Sequence, residues 1–306
     1  MNRNYQVIII GGGPAGLTAG LYCARSGLNT LLIERGLIGG QITYADRVEN
    51  YPGFPQGISG IELGQAMYQQ ATSYGLQTLL AEVSSLDLQQ RHNLINTSEG
   101  NFTAESVIIA SGSEFRKLGV PGEAELLGKG VSYCATCDGP LFKDKAVAVV
   151  GGGDAALTEA LYLTKFAVSV KVIHRRSQLR ATNILQKRAK AEPKIEFIWN
   201  TVVAQIEGNR VINQLRLKNK KDVTISMLPV AGVFIAIGLE PNTCYLKGVM
   251  PLDKGGYITT NEVMETGIPG IFAAGDVRHN SAKQAITAAG DGATAAVSAE
   301  KSLNLQ

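Results

Sequence analysis

A Cys-Ala-Thr-Cys sequence at positions 134–137 holds the two side chains of this chain best suited to redox chemistry. Cysteines separated by two residues can form a reversible disulfide, and one thiol of such a pair commonly has a depressed pKa. Asp138 follows directly, and its carboxyl could exchange a proton with a leaving thiolate. The alternative for Asp138 is a turn residue before a Gly-Pro pair. The pattern predicts a redox-active Cys134–Cys137 pair.

Zinc binding is the competing interpretation of the cysteine pair. A tetrahedral zinc site needs four ligands, yet the chain has no second Cys-x-x-Cys and its three histidines are scattered along the sequence. We therefore expect no metal. The two remaining cysteines, Cys23 and Cys244, are predicted to be unpaired packing residues.

A first glycine-rich turn, Gly-Gly-Gly-Pro-Ala-Gly at 11–16, follows a short apolar run and precedes a segment of helical composition. Glycines at 11, 13 and 16 allow a pyrophosphate to approach the backbone at a helix N-terminus, where free N–H groups favour anions. The carboxylate of Glu34 would accept hydrogen bonds from a ribose diol and repel a 2′-phosphate. This site is predicted to bind FAD or NAD; the alternative is a strand–helix corner without a ligand.

The same pattern recurs at 151–156 as Gly-Gly-Gly-Asp-Ala-Ala. His174 follows Gly151 at the spacing that separates Glu34 from Gly11, so His174 occupies the position of the acid in a second copy of the fold. Three arginines lie just beyond it, and guanidinium groups match a 2′-phosphate. The second site is therefore predicted to bind NADPH at Arg175, Arg176 and Arg180. A solvated basic face and a nucleic-acid patch are the alternatives, and His174 itself could be a packing residue.

Short apolar runs and helical segments place both turns in βαβ units. We predict strands at 5–10, 30–33, 107–110, 146–150, 168–173, 233–237 and 270–274, and helices at 17–25, 157–166 and 282–301. The segment after the second βαβ region is too short to form a third dinucleotide-binding domain. We therefore interpret it as a return of the chain to the first domain. The predicted fold is α/β, with two Rossmann-like dinucleotide-binding domains. An FAD-binding domain, 1–117 and 242–306, is interrupted by an NADPH-binding domain, 118–241, that carries the cysteine pair.

Composition narrows the class of protein. The 306 residues carry a net charge of +3, are 45% hydrophobic and 18% charged, and include 35 glycines. This balance supports a large core and gives little support to a nucleic-acid or membrane partner. No apolar run reaches the length of a membrane span, and the N-terminus has no signal-peptide pattern. We expect a cytoplasmic protein.

Seven motifs resemble those of the low-molecular-weight, bacterial-type thioredoxin reductases. They are GGGPAGL at 11–17, GGQ at 39–41, VENYPG at 48–53, SYCATCDG at 132–139, GGGDAA at 151–156, HRRxxxRA at 174–181, and GDV with KQAITAAG at 275–277 and 283–290. The resemblance covers nearly the whole chain. It implies a homodimeric flavoenzyme in which NADPH reduces FAD, FAD reduces the Cys134–Cys137 disulfide, and the dithiol reduces thioredoxin.

The resemblance also implies roles for individual residues. Cys137 would face the flavin, Cys134 would attack the partner's disulfide, and Asp138 would be the acid. The FAD site would contain Gly11, Gly13, Ala15, Gly16, Glu34, Gln41, Asn50, Gly275, Asp276, Gln284, Ala285 and Ile286. The NADPH site would contain Gly151, Gly153, Asp154, Ala155, His174, Arg175, Arg176 and Arg180.

Two residues depart from the family pattern, since Lys283 stands where arginine is usual and Ser111 where threonine is usual. Other functions stay open at this point. They are a dithiol oxidase or a ferredoxin-fed reductase of the same architecture, a flavin-binding redox sensor, and a nucleotide-binding regulator of nucleic acid. The arginine set argues against the first two, because neither needs a site for NADPH.

Overall fold

The computed structural model describes residues 3–45, 47–89 and 92–304. The chain forms two compact units. The first unit contains residues 1–114 and 240–306, and the second contains residues 115–239. The predicted domain boundaries lie at 117/118 and 241/242.

The strands are, in chain order, β1 (Asn4–Ile10), β2 (Thr30–Glu34), β3 (Gln77–Leu80), β4 (Val83–Asp87), β5 (Asn93–Thr97), β6 (Gly100–Ile109), β7 (Ser113–Phe115), β8 (Val131–Ser132), β9 (Ala146–Gly151), β10 (Ser169–Ile173), β11 (Ile195–Ile198), β12 (Thr201–Gly208), β13 (Ile212–Asn219), β14 (Ile225–Pro229), β15 (Gly232–Ala236), β16 (Leu239–Pro241) and β17 (Ile271–Ala273). The α-helices are α1 (Pro14–Arg25), α2 (Gly60–Ser73), α3 (Ala135–Asp138), α4 (Asp154–Leu163), α5 (Asn183–Ala191) and α6 (Ala285–Asn304). Short 3-10 helices span Gly40–Tyr44, Gly139–Phe142, Cys244–Leu246 and Gly275–Val277.

In the first unit, β1 lies in the middle of a sheet of order β3-β2-β1-β6-β5-β4, and β17 also pairs with β6. Strands β3, β2, β1, β6 and β17 run parallel to one another. Strand β5 pairs antiparallel with β6, and β4 pairs antiparallel with β5. The apolar residues of β1 are buried on both faces, as expected for a strand inside a parallel sheet. The carboxyl ends of β1, β2 and β17 meet at one edge, which is where the first glycine turn lies.

Helices α1 and α6 pack against one face of this sheet through small residues. A Cβ added to Gly292 of α6 would lie 2.1 Å from the carbonyl oxygen of Ala15, so the two backbones are in contact there. Likewise, a Cβ on Gly275 would lie 2.9 Å from the Cβ of Ala15. This close approach brings the returning segment of the chain against the first glycine turn.

The second unit has a parallel sheet of order β11-β10-β9-β15-β8 and a separate antiparallel sheet, β12-β13-β14. The prediction of two copies of one fold is confirmed by the strand register. Ile10 pairs with Ile33 in the first unit, and Val150 pairs with Ile173 in the second. The residue that follows is Glu34 in one copy and His174 in the other, each at the carboxyl edge of its sheet.

Several predicted elements have different bounds in the structure, most of them by one or two residues. Helix α1 begins at Pro14, three residues earlier than predicted. Helix α4 begins three residues earlier than predicted and ends at Leu163. Helix α6 begins at Ala285 instead of 282, because Lys283 adopts a φ of +58°, a left-handed conformation that an α-helix cannot continue through. Strand β6 is ten residues long, since its first half also forms a hairpin with β5 that the sequence pattern did not indicate.

Candidate active site

The cysteine pair lies directly after β8, on the short helix α3. Cys134 and Cys137 form a disulfide with 5.3 Å between their Cα atoms. Cys134 is half-buried and precedes the helix, whereas Cys137 is exposed within it. The Sγ of Cys134 accepts a hydrogen bond from the backbone N–H of Cys137 at 3.2 Å and lies 3.3 Å from the Thr136 hydroxyl. Donors placed around this sulfur stabilise a thiolate there once the disulfide is reduced.

Asp138 ends α3, and its carboxylate oxygen Oδ2 accepts a 2.6 Å hydrogen bond from the Ser132 hydroxyl. Its backbone N–H donates to the Cys134 carbonyl oxygen at 3.1 Å. Asp138 is therefore the last residue of a one-turn helix and is hydrogen-bonded to Ser132 and Cys134, and its role as an acid stays a prediction. Ser132 was not identified from the sequence, since no spacing rule marks a serine two residues before a cysteine.

The other two cysteines take no part in this cluster. Cys23 is a free, buried thiol on α1, as predicted, and burial raises its pKa to about 12. Cys244 is also free, but the expectation that it packs inside is wrong, because its side chain is exposed. The following residues of its 3-10 helix, Tyr245 and Leu246, take the inward positions instead.

The two glycine turns have nearly the same backbone geometry. Gly13 and Gly153 each precede a helix with extended backbone, at φ −78° and −97°. A Cβ at either position would meet no other atom within 4 Å, whereas a Cβ on Gly16 would lie 1.8 Å from the Gly11 carbonyl oxygen. Each turn therefore presents open space at a helix N-terminus over a tightly packed glycine backbone. This arrangement fits a pyrophosphate.

Glu34 is the last residue of β2, and its side chain lies beside the first glycine turn. Its carboxylate accepts hydrogen bonds from the backbone N–H of Gly12 at 2.6 Å and of Gly36 at 2.8 Å. The side chain is thus held beside the turn with lone pairs left to accept from a ribose diol. Because a fixed carboxylate repels a phosphate, the first turn suits a dinucleotide that lacks a 2′-phosphate.

The other residues implied for the first site come from four separate segments of the first unit. Gln41 donates its side-chain amide to the Ser113 carbonyl oxygen, and Asn50 donates to the Gln284 side chain at 3.2 Å. Gln284 directly precedes helix α6, and Ala285 and Ile286 are its first two residues. The Asn50–Gln284 contact joins two segments far apart in sequence, 234 positions from each other.

Asp276 lies in the returning segment, after β17. Burial raises the pKa of its carboxyl, while a hydrogen bond from Ser281 and the nearby Lys283 ammonium oppose that shift. Lys283, one of the two departures, donates to the Asp276 carbonyl oxygen at 2.7 Å and lies over the Tyr257 ring. Ser111, the other departure, donates to the Asn242 carbonyl oxygen at 2.8 Å and binds the Tyr245 hydroxyl. Lys283 and Ser111, the two residues that depart from the family pattern, thus each make defined contacts with neighbouring residues.

In the second unit, His174 is buried, and its ring nitrogens contact the carbonyl oxygens of Gly151 at 3.1 Å and Gln178 at 3.0 Å. The ring is also against Gly152, where a Cβ would lie 2.2 Å from Nδ1. That His174 belongs to the nucleotide site stays a prediction, and its backbone contacts agree with the packing role that the sequence also allowed. Burial lowers the pKa of His174, and a neutral imidazole has one N–H, so the ring donates to one of these two carbonyl oxygens and packs between the glycine turn and the following loop.

The arginines of that loop are available to a ligand. Arg175, Arg176 and Arg180 are exposed, and the backbone N–H of Arg180 donates to the Gly152 carbonyl oxygen at 2.7 Å. The loop thus folds back over the turn and holds positive charge beside it. Asp154 accepts a 2.6 Å hydrogen bond from the Thr182 backbone N–H, which fixes the far end of the same loop. Ala155 follows Asp154 at the start of α4.

Over residues 3–45, 47–89 and 92–304, no group of three or more His, Cys, Asp or Glu side chains is arranged to bind a metal ion. Over the same residues, none of the helices combines the length and apolar character needed to traverse a bilayer.

The comparisons with known proteins agree with this geometry. The family model for pyridine nucleotide-disulphide oxidoreductases matches residues 5–292. The chain belongs to the pyridine nucleotide-disulphide oxidoreductase family. It is 46% identical over 298 residues to a thioredoxin reductase of Listeria innocua, covering 97% of this chain and 93% of the relative. It is 45% identical over 297 residues to one from Bacillus subtilis, at 97% and 94% coverage. A crystal structure of thioredoxin reductase from Streptococcus pyogenes matches with a TM-score of 0.97 and 44% identity, covering 100% of both chains.

Family membership makes the chain a disulfide oxidoreductase that uses a flavin and a pyridine nucleotide. The resemblance stated from the motifs is confirmed, and so is the fold class of two dinucleotide-binding domains. The first unit thus carries the acid-bearing turn, and the second carries the redox pair and the arginine-bearing turn.

Proposed function

We propose that this protein is a thioredoxin-disulfide reductase that takes its electrons from NADPH through FAD. The observation that carries the proposal is the accessible Cys134–Cys137 disulfide in a chain with two glycine turns, one flanked by a carboxylate and the other by arginines. The names of the relatives point to thioredoxin as the disulfide substrate.

The first unit is assigned the FAD. The open space at Gly13, the fixed Glu34 carboxylate and the Asp276 loop beside Ala15 support this assignment. Bound FAD would supply hydride acceptance from NADPH and delivery of two electrons to a disulfide. The role of the chain is to hold the pyrophosphate at the N-terminus of α1 and the ribose at Glu34. Because these groups are fixed before binding, little side-chain freedom is lost when the dinucleotide binds.

The second unit is assigned the NADPH. Gly153 leaves room for a pyrophosphate at the N-terminus of α4, and Arg175, Arg176 and Arg180 stand at the position where a 2′-phosphate would lie. In the first unit Glu34 occupies the position equivalent to His174, directly before these arginines. The opposite charges beside the two turns support two sites that select different dinucleotides.

The cysteines divide the thiol chemistry between them. The N–H of Cys137 and the Thr136 hydroxyl surround the Cys134 sulfur, which supports Cys134 as the thiolate that attacks thioredoxin. Cys137 is then the thiol that receives electrons on the flavin side and later resolves the mixed disulfide. Asp138 is the group that exchanges protons with the sulfurs during this cycle.

The test is anaerobic mixing of the purified holoenzyme with NADPH and, in parallel, with NADH. The flavin released on denaturation should be FAD, and NADPH should bleach the bound flavin much faster than NADH. A dithiol oxidase would instead consume oxygen with a thiol substrate and ignore NADPH. A ferredoxin-fed enzyme would be reduced by ferredoxin alone, and either result would contradict the proposal.

We also propose that the enzyme is a homodimer that associates through the outer face of α1 and α6. This face carries two exposed apolar side chains, Tyr22 at 41% and Val297 at 38% exposure. They flank a cavity of about 290 Å³ whose lining residues are Tyr22, Val263, Ala293, Thr294, Val297, Ser298 and Lys301. An apolar recess of this kind suits a protruding side chain of a second copy.

A charge placed in that recess should dissociate the dimer. The Val297→Glu variant should elute and sediment as a monomer at micromolar concentration, because an unpaired carboxylate buried at an interface costs several kcal/mol. The matched control is Val168→Glu, an exposed valine of the second unit at 53% exposure. The control should keep the wild-type mass. A monomeric wild type, or a dimeric Val297→Glu variant, would contradict this interface.

A further inference from the structure

Ser132 is a buried serine, 4% exposed, at the end of β8 and two residues before Cys134. Its hydroxyl oxygen accepts from the backbone N–H of Cys134 at 3.0 Å. Its single proton faces the Asp138 carboxylate oxygen at 2.6 Å, and the Cys134 carbonyl oxygen lies farther away at 3.4 Å. Because a hydroxyl has one proton and the 2.6 Å contact is much shorter than the 3.4 Å one, the proton belongs to the Asp138 contact.

Ser132 therefore contacts both the attacking cysteine, Cys134, and the acid, Asp138. One side of its hydroxyl is bound to the backbone of the attacking cysteine, and the other side is bound to the acid. The Asp138 backbone also donates to the Cys134 carbonyl oxygen, so main chain and side chain form a closed ring of contacts. The Ser132 hydroxyl holds the Asp138 side chain and the Cys134 carbonyl oxygen holds its backbone, which restricts where the carboxyl group lies relative to the sulfurs.

We propose that Ser132 is a positioning residue for dithiol–disulfide exchange, holding the Asp138 carboxyl where it exchanges protons with the sulfurs of Cys134, Cys137 and the partner. The inference rests on the proposed function, because it concerns the half-reaction in which the dithiol reduces a protein disulfide.

The proton and electron balance of that half-reaction defines what the carboxyl must do. The Cys134 thiolate forms a bond to one sulfur of the partner disulfide, and the other sulfur leaves and takes a proton from the Asp138 carboxyl. The Cys137 thiol then gives its proton to the Asp138 carboxylate and attacks the Cys134 sulfur. This step restores the Cys134–Cys137 disulfide and releases the second partner sulfur as a thiolate. Two electrons pass to the partner, and Asp138 ends protonated as it began.

Removing the hydroxyl should impair this exchange specifically. In Ser132→Ala the carboxylate loses a charge-assisted donor, so exchange should slow by roughly ten- to a hundredfold. The pH profile of the exchange rate should also change, because the Ser132 hydroxyl donates to the Asp138 carboxylate and its loss favours the protonated acid. Ser132→Thr keeps a hydroxyl and should recover most of the rate.

The experiment is anaerobic rapid mixing of pre-reduced holoenzyme with oxidised thioredoxin, over a range of pH. The enzymes are wild type, Ser132→Ala, Ser132→Thr, Asp138→Ala and the Ser132→Ala, Asp138→Ala double variant. Ser106→Ala is the matched control, since Ser106 is equally buried and donates to the Gly270 carbonyl oxygen away from the redox turn. Flavin content and the rate of flavin reduction by NADPH report whether each variant is folded.

The proposal expects Ser132→Ala to slow exchange in the wild-type background and to have no further effect in the Asp138→Ala background. Equal losses in both backgrounds would overturn it, because Ser132 would then act without Asp138. A wild-type rate and pH profile for Ser132→Ala would overturn it as well. Failure of the proposed function is a separate result, since the wild-type enzyme itself would then not react with thioredoxin.

Discussion

Replacing either redox cysteine by serine should abolish the reduction of protein disulfides and leave the flavin bound and reducible by NADPH. Cys134→Ser removes the attacking sulfur, and Cys137→Ser removes the sulfur that resolves the mixed disulfide. Steady-state NADPH consumption with thioredoxin should fall to background in both variants. Absorbance of the flavin before and after anaerobic addition of NADPH measures the preserved step.

The controls for this result are the two free cysteines. Cys23→Ala should keep nearly full turnover, because burial raises the pKa of that thiol to about 12 and keeps it protonated. Cys244→Ala should also be nearly silent, although its side chain is exposed. If Cys23→Ala stopped turnover with the flavin still bound, a second redox couple would have to exist.

Replacing both Arg175 and Arg176 by alanine should weaken the binding of NADPH far more than the binding of NADH. A charge-assisted hydrogen bond contributes roughly 1.5–3 kcal/mol, so each arginine should raise the KM for NADPH by about ten- to a hundredfold. The KM for NADH should change little, because NADH has no 2′-phosphate. Binding can also be followed without turnover, since the one tryptophan of the chain, Trp199, lies 6.3 Å from the His174 ring beside this loop.

Arg188→Ala is the matched control, because Arg188 is an exposed arginine on α5 outside the proposed site. It should leave the KM of both coenzymes near the wild-type value. Equal losses for NADPH and NADH in the double variant would show that the arginines do not read the 2′-phosphate. An Arg188→Ala effect as large as theirs would indicate a general basic surface instead.

Much of the fold was predictable because its signals are local. The two glycine turns have the same spacing to the end of the next strand, and the strand register repeats that spacing in three dimensions. Apolar runs between glycine turns are typical of buried parallel strands, and β1, β2, β9 and β10 are such strands. The identity of the redox pair followed from cysteine spacing alone.

The rest depended on contacts that no spacing rule encodes. The late start of α6 follows from the left-handed backbone at Lys283, a conformation uncommon for a residue with a side chain. Cys244 is exposed, whereas Leu246 is fully buried and Tyr245 packs partly buried against the core. His174 appeared in the charged motif, yet only the structure shows its ring nitrogens lying 3.1 and 3.0 Å from two backbone carbonyl oxygens.

Ser132 shows the same limit within the active site. Its position before Cys134 is visible in the sequence. Its proposed role, however, depends on the hydrogen bonds of its hydroxyl with both the Cys134 backbone and the Asp138 side chain. The Asn50–Gln284 contact likewise joins distant segments. Such contacts depend on tertiary packing, so sequence reasoning reached them only where a family motif marked the residues.

The central claim is that electrons pass from NADPH to thioredoxin through the Cys134–Cys137 pair. The most direct measurement mixes the holoenzyme anaerobically with a limiting amount of NADPH and an excess of oxidised thioredoxin, and then counts the thiols formed on thioredoxin. The account predicts about two thioredoxin thiols per NADPH oxidised for the wild-type enzyme and none for Cys134→Ser. NADPH oxidation without thioredoxin thiols, or equal thiol yields from both enzymes, would contradict it.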